Sequence, residues 1–265
     1  MHYRASINLS EASLQLTARL IRKRRAAIGT HWRKLGPAGQ AKLALVYLVK
    51  HDTLAELASG FGVGIATAWR YIREVLDLLA ALAPSLEAAL WTACSRGLRT
   101  ILLDGTCCET DRLHDYRDPD IPWREQVDRH WCAKHKHHSV TLQGITDLDG
   151  NLLWLGTAYP GSVHDLTAAR ADGVFTLARK VDLEIFADKG YIGAGPGVTT
   201  PIRGRNLPEA KLRHNYVVNS IRALVERGFA QLKKWAIFNR SRCSPQKVGQ
   251  AAHAWIALTI HEGQI

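Results

Sequence analysis

Three acidic residues, far apart along the chain, have neighbours that suit metal-assisted phosphoryl chemistry. Asp104 closes the apolar run Ile101-Leu102-Leu103 and is followed by Gly-Thr, while Asp188 closes "EIFA" (184–187) and is followed by Lys-Gly-Tyr. Each run reads as a short buried strand, so each aspartate stands at the end of a rigid support with glycine next or one residue later. If the two strands are parallel neighbours, their carboxylates meet. Like charges that close raise one pKa unless a cation lies between them, and Mg²⁺ or Mn²⁺ is the natural cation for oxygen donors. A third acid, Glu226, lies in the helical stretch 215–235. At 100° per residue, Lys233, Glu226 and Asn219 fall within about 60° of Arg222. This polar stripe borders an apolar arc of Val218, Ile221, Val225, Phe229 and Leu232, which would face the sheet. Glu226 then sits at the edge of the buried face, and Arg222 and Lys233 suit a phosphate backbone laid across the site. Taken alone, Glu226 and Arg222 read better as a surface i, i+4 ion pair; beside Asp104 and Asp188 the catalytic reading is the stronger.

Other polar groups rank lower. Asp165, in "GSVHD", reads as part of a capping-box variant begun by Ser162, in the first turn of a helix over 162–180; it is a secondary metal-ligand candidate. The His-rich segment "RHWCAKHKHHSV" (129–140) fits no standard zinc ligand spacing, and Lys134 and Lys136 read instead as a basic surface touching DNA. Residues 109–128 read as a long exposed loop whose aspartates (111, 115, 118, 120 and 128) are solvated. The five cysteines show no CxxC spacing, so neither a zinc module nor a disulfide framework is expected.

The elements that must position these residues follow from pattern. Residues 1–95 read as helical, with the sequence changing character at "SRGLR" (95–99), where a boundary between domains 1–95 and 96–265 is expected. The second part reads as a strand at 99–106, a hairpin at 139–161 with Asp149-Gly150 in its turn, the helix 162–180, a strand at 183–188, a glycine- and proline-rich loop to about residue 208, and the helix carrying Glu226. The expected fold class is α/β, a mixed sheet flanked by helices behind a helical module. Within that module, residues 51–80 read as a helix-turn-helix. Asp52 or Thr53 caps the first helix, Ala58 is small at the crossing, and Gly62 supplies the turn. The second helix carries Arg70 and Arg73 toward the major groove. An ordinary helical hairpin would use the same glycine; the basic run "ARLIRKRR" (18–25) favours DNA, because clustered Lys and Arg supply phosphate contacts. A tail helix is expected over 251–263.

The bulk numbers agree. The 265 residues carry a net charge of +11, with 46% hydrophobic and 22% charged residues, which allows a sizeable core and points to a polyanionic partner. No stretch reaches 18 consecutive apolar residues and the N-terminus lacks a signal-peptide run, so a soluble, cytoplasmic protein is expected.

"LLDGT", "YPGSVHD", "ADKGY" and "VERGFAQLKK" occur in this order and resemble the DDE superfamily endonucleases, meaning insertion-sequence transposases related to the Harbinger group. The helix-turn-helix resembles the module that often precedes their catalytic domain, so the resemblance spans roughly residues 43–240. It implies a ribonuclease-H-like fold and an Asp-Asp-Glu triad, here Asp104, Asp188 and Glu226, holding two Mg²⁺ or Mn²⁺ ions. It further implies 3′-end hydrolysis and strand transfer at inverted-repeat DNA ends, target DNA as second substrate, and a homodimer on DNA. Arg222, Glu226 and Lys233 match the spacing of a Tyr-Arg-Glu-Lys signature, but Asn219 stands at the tyrosine position. An inactive DNA-binding derivative of such an enzyme, or a nuclease without strand transfer, are the alternatives.

Overall fold

The structure, a computed structural model, describes residues 9–30, 33–111 and 128–263. The chain divides into two compact units. The first comprises residues up to Ala83 together with Leu232–Asn239 and Gln250 onward; the second comprises Pro84–Gln231 and Arg240–Gly249. The sequence change at 95–99 marks the start of the sheet, yet the helix before it packs in the sheet-bearing unit, and the C-terminal tail packs in the helical unit.

In the helical unit, α1 (Glu11–Ala27), α2 (Pro37–Lys50), α3 (Leu54–Phe61) and α4 (Ile65–Ala80) bury Ile21, Leu43, Leu45, Leu48, Leu57, Tyr71, Ile72 and Leu76. Thr53, not Asp52, caps α3, in a reciprocal capping box with Glu56. The chain then turns at Gly62 (φ 65°) and Val63 fills the core behind it, its N–H donating to Ala58. Arg70 and Arg73 are exposed on α4. The basic run divides by role: Arg19, Arg22, Lys23 and Arg24 are exposed, whereas Arg25 turns inward and donates to Leu35 O (2.9 Å) and Gln40 Oε1 (2.7 Å). Gln40 in turn donates to Glu74 (2.9 Å), so Arg25 ties α1 to α2 and α4. The last helix, α9 (Pro245–His261), carries the tail; Glu262 just beyond it accepts from Ser10 Oγ and from Ser13 Oγ (2.5 Å) at the start of α1. Burial works to raise this carboxyl, but the serine hydrogen bonds outweigh it and hold the group below its ordinary value.

The sheet-bearing unit opens with α5 (Leu86–Ser95) and contains β1 (Thr100–Thr110), β2 (Trp131–Cys132), β3 (His137–Thr146), β4 (Leu152–Pro160), β5 (Glu184–Ala187), β6 (Val198–Thr199) and β7 (Arg240–Ser241). Its main strand order is β4-β3-β1-β5-β6, with β2 added to β3 and β7 to the far end of β1. β3 lies antiparallel to β1 and β4, while β5 lies parallel to β1 and β6 parallel to β5. This mixed, helix-flanked sheet is the ribonuclease-H-like architecture expected from the sequence. Between β4 and β5 the expected single helix is two, α6 (Asp165–Ala171) and α7 (Val174–Lys180), broken at Gly173. α8 (Glu209–Leu232) begins earlier than its apolar periodicity suggested and buries Val218, Val225, Phe229 and Leu232, with Ile221 half-buried. Most of the expected 109–128 loop, with aspartates 115, 118 and 120, lies outside the described residues. At its ends Asp111 pairs with Arg240 (2.9 Å) and Asp128 with His138 (2.7 Å).

Candidate active site

The register of β1 and β5 sets the first two acids side by side. Leu103 is paired with Ala187 in the parallel ladder, where β5 ends, so the next residues, Asp104 and Asp188, stand side by side. Asp104 does not close its strand as expected: β1 runs on to Thr110 because its later residues pair with β3, and Asp104 itself lies opposite Gly144. Both aspartates are half-buried. Asp104 Oδ1 accepts from the N–H of Gly105 (2.8 Å), the next residue of β1, and Asp188 Oδ1 from that of Gly190 (2.6 Å) in the turn after β5, so a glycine N–H steers each carboxylate.

Asp165 joins them from α6. It does not close a capping box: the N-cap of α6 is His164, without a side-chain cap bond, and Asp165 is the first helical residue. Its Oδ1 accepts instead from Gln143 Nε2 (3.3 Å) on β3. Gln143 is fully buried, and its other amide atom accepts from the Tyr191 hydroxyl (2.6 Å). A side chain at Gly105 would collide with the Asp165 carboxylate, so that glycine makes room for the acid. Burial, followed by the charge of Asp188, pushes the Asp165 carboxyl above its usual value. Burial, followed by Asp165, Asp104 and Asp188, pushes the Tyr191 hydroxyl well above its own. Negative potential therefore gathers at this edge, and its donors are carboxylate oxygens. That combination fits a divalent hard cation.

Gln143 escaped the sequence reading as part of the site, and the sequence left open whether Tyr191 packs beside the site or covers the sheet edge. A glutamine inside the apolar run "SVTLQGIT" was the available signal, because a buried amide must find partners.

Glu226 lies on the exposed side of α8. Gly144, the cross-strand partner of Asp104, would place a Cβ 2.6 Å from Phe229 Cε1. Paired residues of an antiparallel ladder share a face, so Asp104 emerges on the face that α8 covers. Around α8, Arg227 and Gly228 rest on the Asp149–Gly150 turn and Phe229 on Gly144. Glu226 lies about 60° beyond Phe229 around the helix. Among the described residues, Asp104, Asp188 and Glu226 do not form a group with ligand atoms all within 4.8 Å of one another. A pair of ions about 3.5–4 Å apart does not require one, since its outer ligands bind different ions. Of the cationic candidates, Lys136 is exposed, Lys233 is half-buried in the turn just after α8, and the Arg222 side chain is outside the described set.

Comparison with known proteins supplies the wider frame. The family model described as DDE superfamily endonuclease matches residues 103–259, which include all four acids, and the model of the helix-turn-helix of these endonucleases matches residues 33–85. A protein of Streptomyces albus G, assigned as transposase for insertion sequence element IS112, is 30% identical over 217 residues, covering 80% of this chain and 75% of its own. The crystal structure of the Mos1 strand transfer complex aligns with 97% of this chain and 96% of its own, at 12% identity and a TM-score of 0.23. The Mos1 mariner paired end complex with Mn aligns with 94% of this chain and 85% of its own, also at 12% identity, with a TM-score of 0.22. Likenesses that slight carry no argument about individual residues. The family model and the IS112 relative show the family: this chain belongs to the DDE superfamily endonucleases, with the helix-turn-helix of that family ahead of its acidic strands.

Proposed function

We propose that this DDE-type transposase hydrolyses DNA at the ends of a mobile element and joins the freed 3′ ends to target DNA, using Asp104, Asp188 and Glu226. The observation that supports the reading is the parallel register of β1 and β5, in which Leu103 pairs with Ala187 and Asp104 and Asp188 follow side by side. Asp104, Asp188 and Glu226 would hold the Mg²⁺ or Mn²⁺ ions, two in number on this reading, with Asp165 as a further candidate ligand. Bound there, the ions would activate the attacking oxygen and stabilise the charge on the departing one.

The protein's own groups account for the rest. The N–H groups of Gly105 and Gly190 hold the two carboxylates by donation. Gln143, held by the Tyr191 hydroxyl, orients Asp165. In the first exchange a water oxygen bonds to phosphorus and gives up a proton, while the bond from phosphorus to the 3′ oxygen breaks and that oxygen takes up a proton. In the second, that 3′ oxygen attacks a target phosphate and the target's own 3′ oxygen leaves. Arg70 and Arg73 on the second helix of the helix-turn-helix read the element end, while Lys136, Arg222 and Lys233 contact phosphates. Two ends must be held for joining, so the working form is a homodimer on double-stranded DNA. The protein acts on DNA in the bacterial cytoplasm.

Glu226→Ala tests the triad. With Mn²⁺ and terminal-repeat DNA, strand cleavage is expected to fall at least a thousandfold while DNA affinity stays within twofold, a loss of about 4 kcal/mol of transition-state stabilisation. Cleavage at the wild-type rate would overturn the assignment. Cleavage without joining by the wild-type protein would favour a nuclease that lacks strand transfer.

A further inference from the structure

The fold brings together three metal-binding side chains that sequence spacing keeps apart. Cys107 lies on β1, three residues past Asp104; Cys132 ends β2, and His135 lies on the turn from β2 into β3. One ligand atom from each lies within 4.8 Å of the other two. The turn is closed by Lys136 N–H donating to Cys132 O (2.7 Å), with Lys136 at φ 56°. The His135 ring stacks on His137 at 5.7 Å between centroids, which fixes its plane. Cys132 is buried, Cys107 half-buried and His135 exposed.

We propose that Cys107, Cys132 and His135 bind a thiophilic divalent ion, with zinc the metal that this donor set selects. Two thiolates and one imidazole suit Zn²⁺ and disfavour Mg²⁺ or Mn²⁺, which prefer oxygen. Tetrahedral bonds of ~2.3 Å to sulfur and ~2.05 Å to nitrogen place the donors ~3.8 Å (S to S) and ~3.5 Å (S to N) apart. Both separations fit the observed grouping without moving the backbone far. The ion would fasten the turn of residues 132–135 to β1, the strand that carries Asp104. All three ligands line a cavity of about 300 Å³ whose wall also includes Gly105, His164 and Asp165. The fastened turn is therefore one wall of the space in front of Asp165. Three protein donors leave one tetrahedral position for water or a further ligand. This inference does not depend on the transposase reading, because metal binding is measured without DNA or cleavage.

The test uses the full-length protein, purified under reducing conditions and dialysed. Elemental analysis is expected to find one zinc per chain. Replacement by Co²⁺ should give a thiolate-to-metal charge-transfer band in the near ultraviolet and the visible bands of a tetrahedral site. Cys107→Ser and Cys132→Ser should each abolish the charge-transfer intensity of one thiolate. Each should also weaken zinc binding by more than the roughly 100-fold that loss of a hydrogen-bond partner behind a ligand costs. Cys94→Ser, Cys243→Ser, His138→Ala and Asp104→Asn should leave stoichiometry and spectrum intact, the last separating this site from the carboxylates. Should the cysteine variants fail to fold, competition between wild-type protein and a chromophoric chelator, read with the Co²⁺ spectrum, gives the same answer. Wild-type protein without the charge-transfer band would overturn the proposal. So would zinc that survives loss of both cysteines, or a Cys107–Cys132 disulfide that persists in excess thiol.

Discussion

Tyr191 is completely buried, and its hydroxyl donates 2.6 Å to Gln143 Oε1 while Gln143 Nε2 reaches Asp165. Because burial and the surrounding carboxylates push this hydroxyl well above its ordinary value, it keeps its proton at neutral pH and remains a donor. Tyr191→Phe therefore removes the donor and leaves a buried amide oxygen unsatisfied, at a cost of about 1–3 kcal/mol. Urea denaturation is expected to show that loss with an unchanged m-value. The same variant should reduce cleavage more than DNA binding, because Asp165 loses its support while the helix-turn-helix is untouched. Unchanged stability would mean that Gln143 finds another partner and that the chain of hydrogen bonds does not orient Asp165.

Between α8 and the sheet, the spacing is set by absent side chains. Gly144 admits the Phe229 ring at a distance where a Cβ would stand 2.6 Å from Cε1 and 2.7 Å from Cζ, and Gly228 brings the helix against the Gly150 carbonyl. Gly144→Ala should force the Phe229 ring, and with it the helix, off the strand. Overpacking of this kind costs about 1–3 kcal/mol. It also shifts Glu226, three residues before Phe229, so cleavage is expected to fall by more than the stability loss alone explains. Pairing the change with Phe229→Leu should return much of the thermal stability. A Gly144→Ala variant with wild-type melting temperature and cleavage rate would show that α8 does not set the height of Glu226.

The whole molecule carries an excess of eleven positive charges, and exposed cations lie on α1 and α4: Arg19, Arg22, Lys23 and Arg24 on the first, Arg70 and Arg73 on the second. Binding to duplex DNA should therefore weaken steeply with salt, the logarithm of affinity falling by about 0.9 per phosphate neutralised. Arg22→Ala, a phosphate contact under this reading, should lower that slope by about 1 for any DNA sequence. Arg70→Ala or Arg73→Ala should cost about 1–3 kcal/mol on the element end and less on unrelated DNA. Arg25→Ala should act differently: its guanidinium serves Leu35 and Gln40, so stability falls and the salt slope stays. Fluorescence anisotropy across a salt series measures all four. A slope insensitive to Arg22 and equal losses on both DNAs for Arg70 would remove this surface from the interface.

Local chemistry made much of this protein legible from its sequence. The apolar run ending at Asp188 marked a strand end, whereas the run ending at Asp104 did not, because β1 continues to Thr110 through its pairing with β3. Gly62 marked the helix-turn-helix because few other residues accept that backbone, and the α8 arc was visible because apolar residues recur with the helical period. The single helix over 162–180 was misread because Gly173 breaks a pattern whose apolar residues continue across it. What only the folded chain decided was long-range pairing. Parallel register set Asp104 beside Asp188, the antiparallel β1–β3 ladder set Asp104 opposite Gly144 and under α8, and the Gln143 amide bound Asp165 in place of a helix cap. The meeting of Cys107 with Cys132 and His135 belongs to the same class. Such contacts join residues tens of positions apart, and no period or spacing along the chain records which of two strand faces a side chain will share.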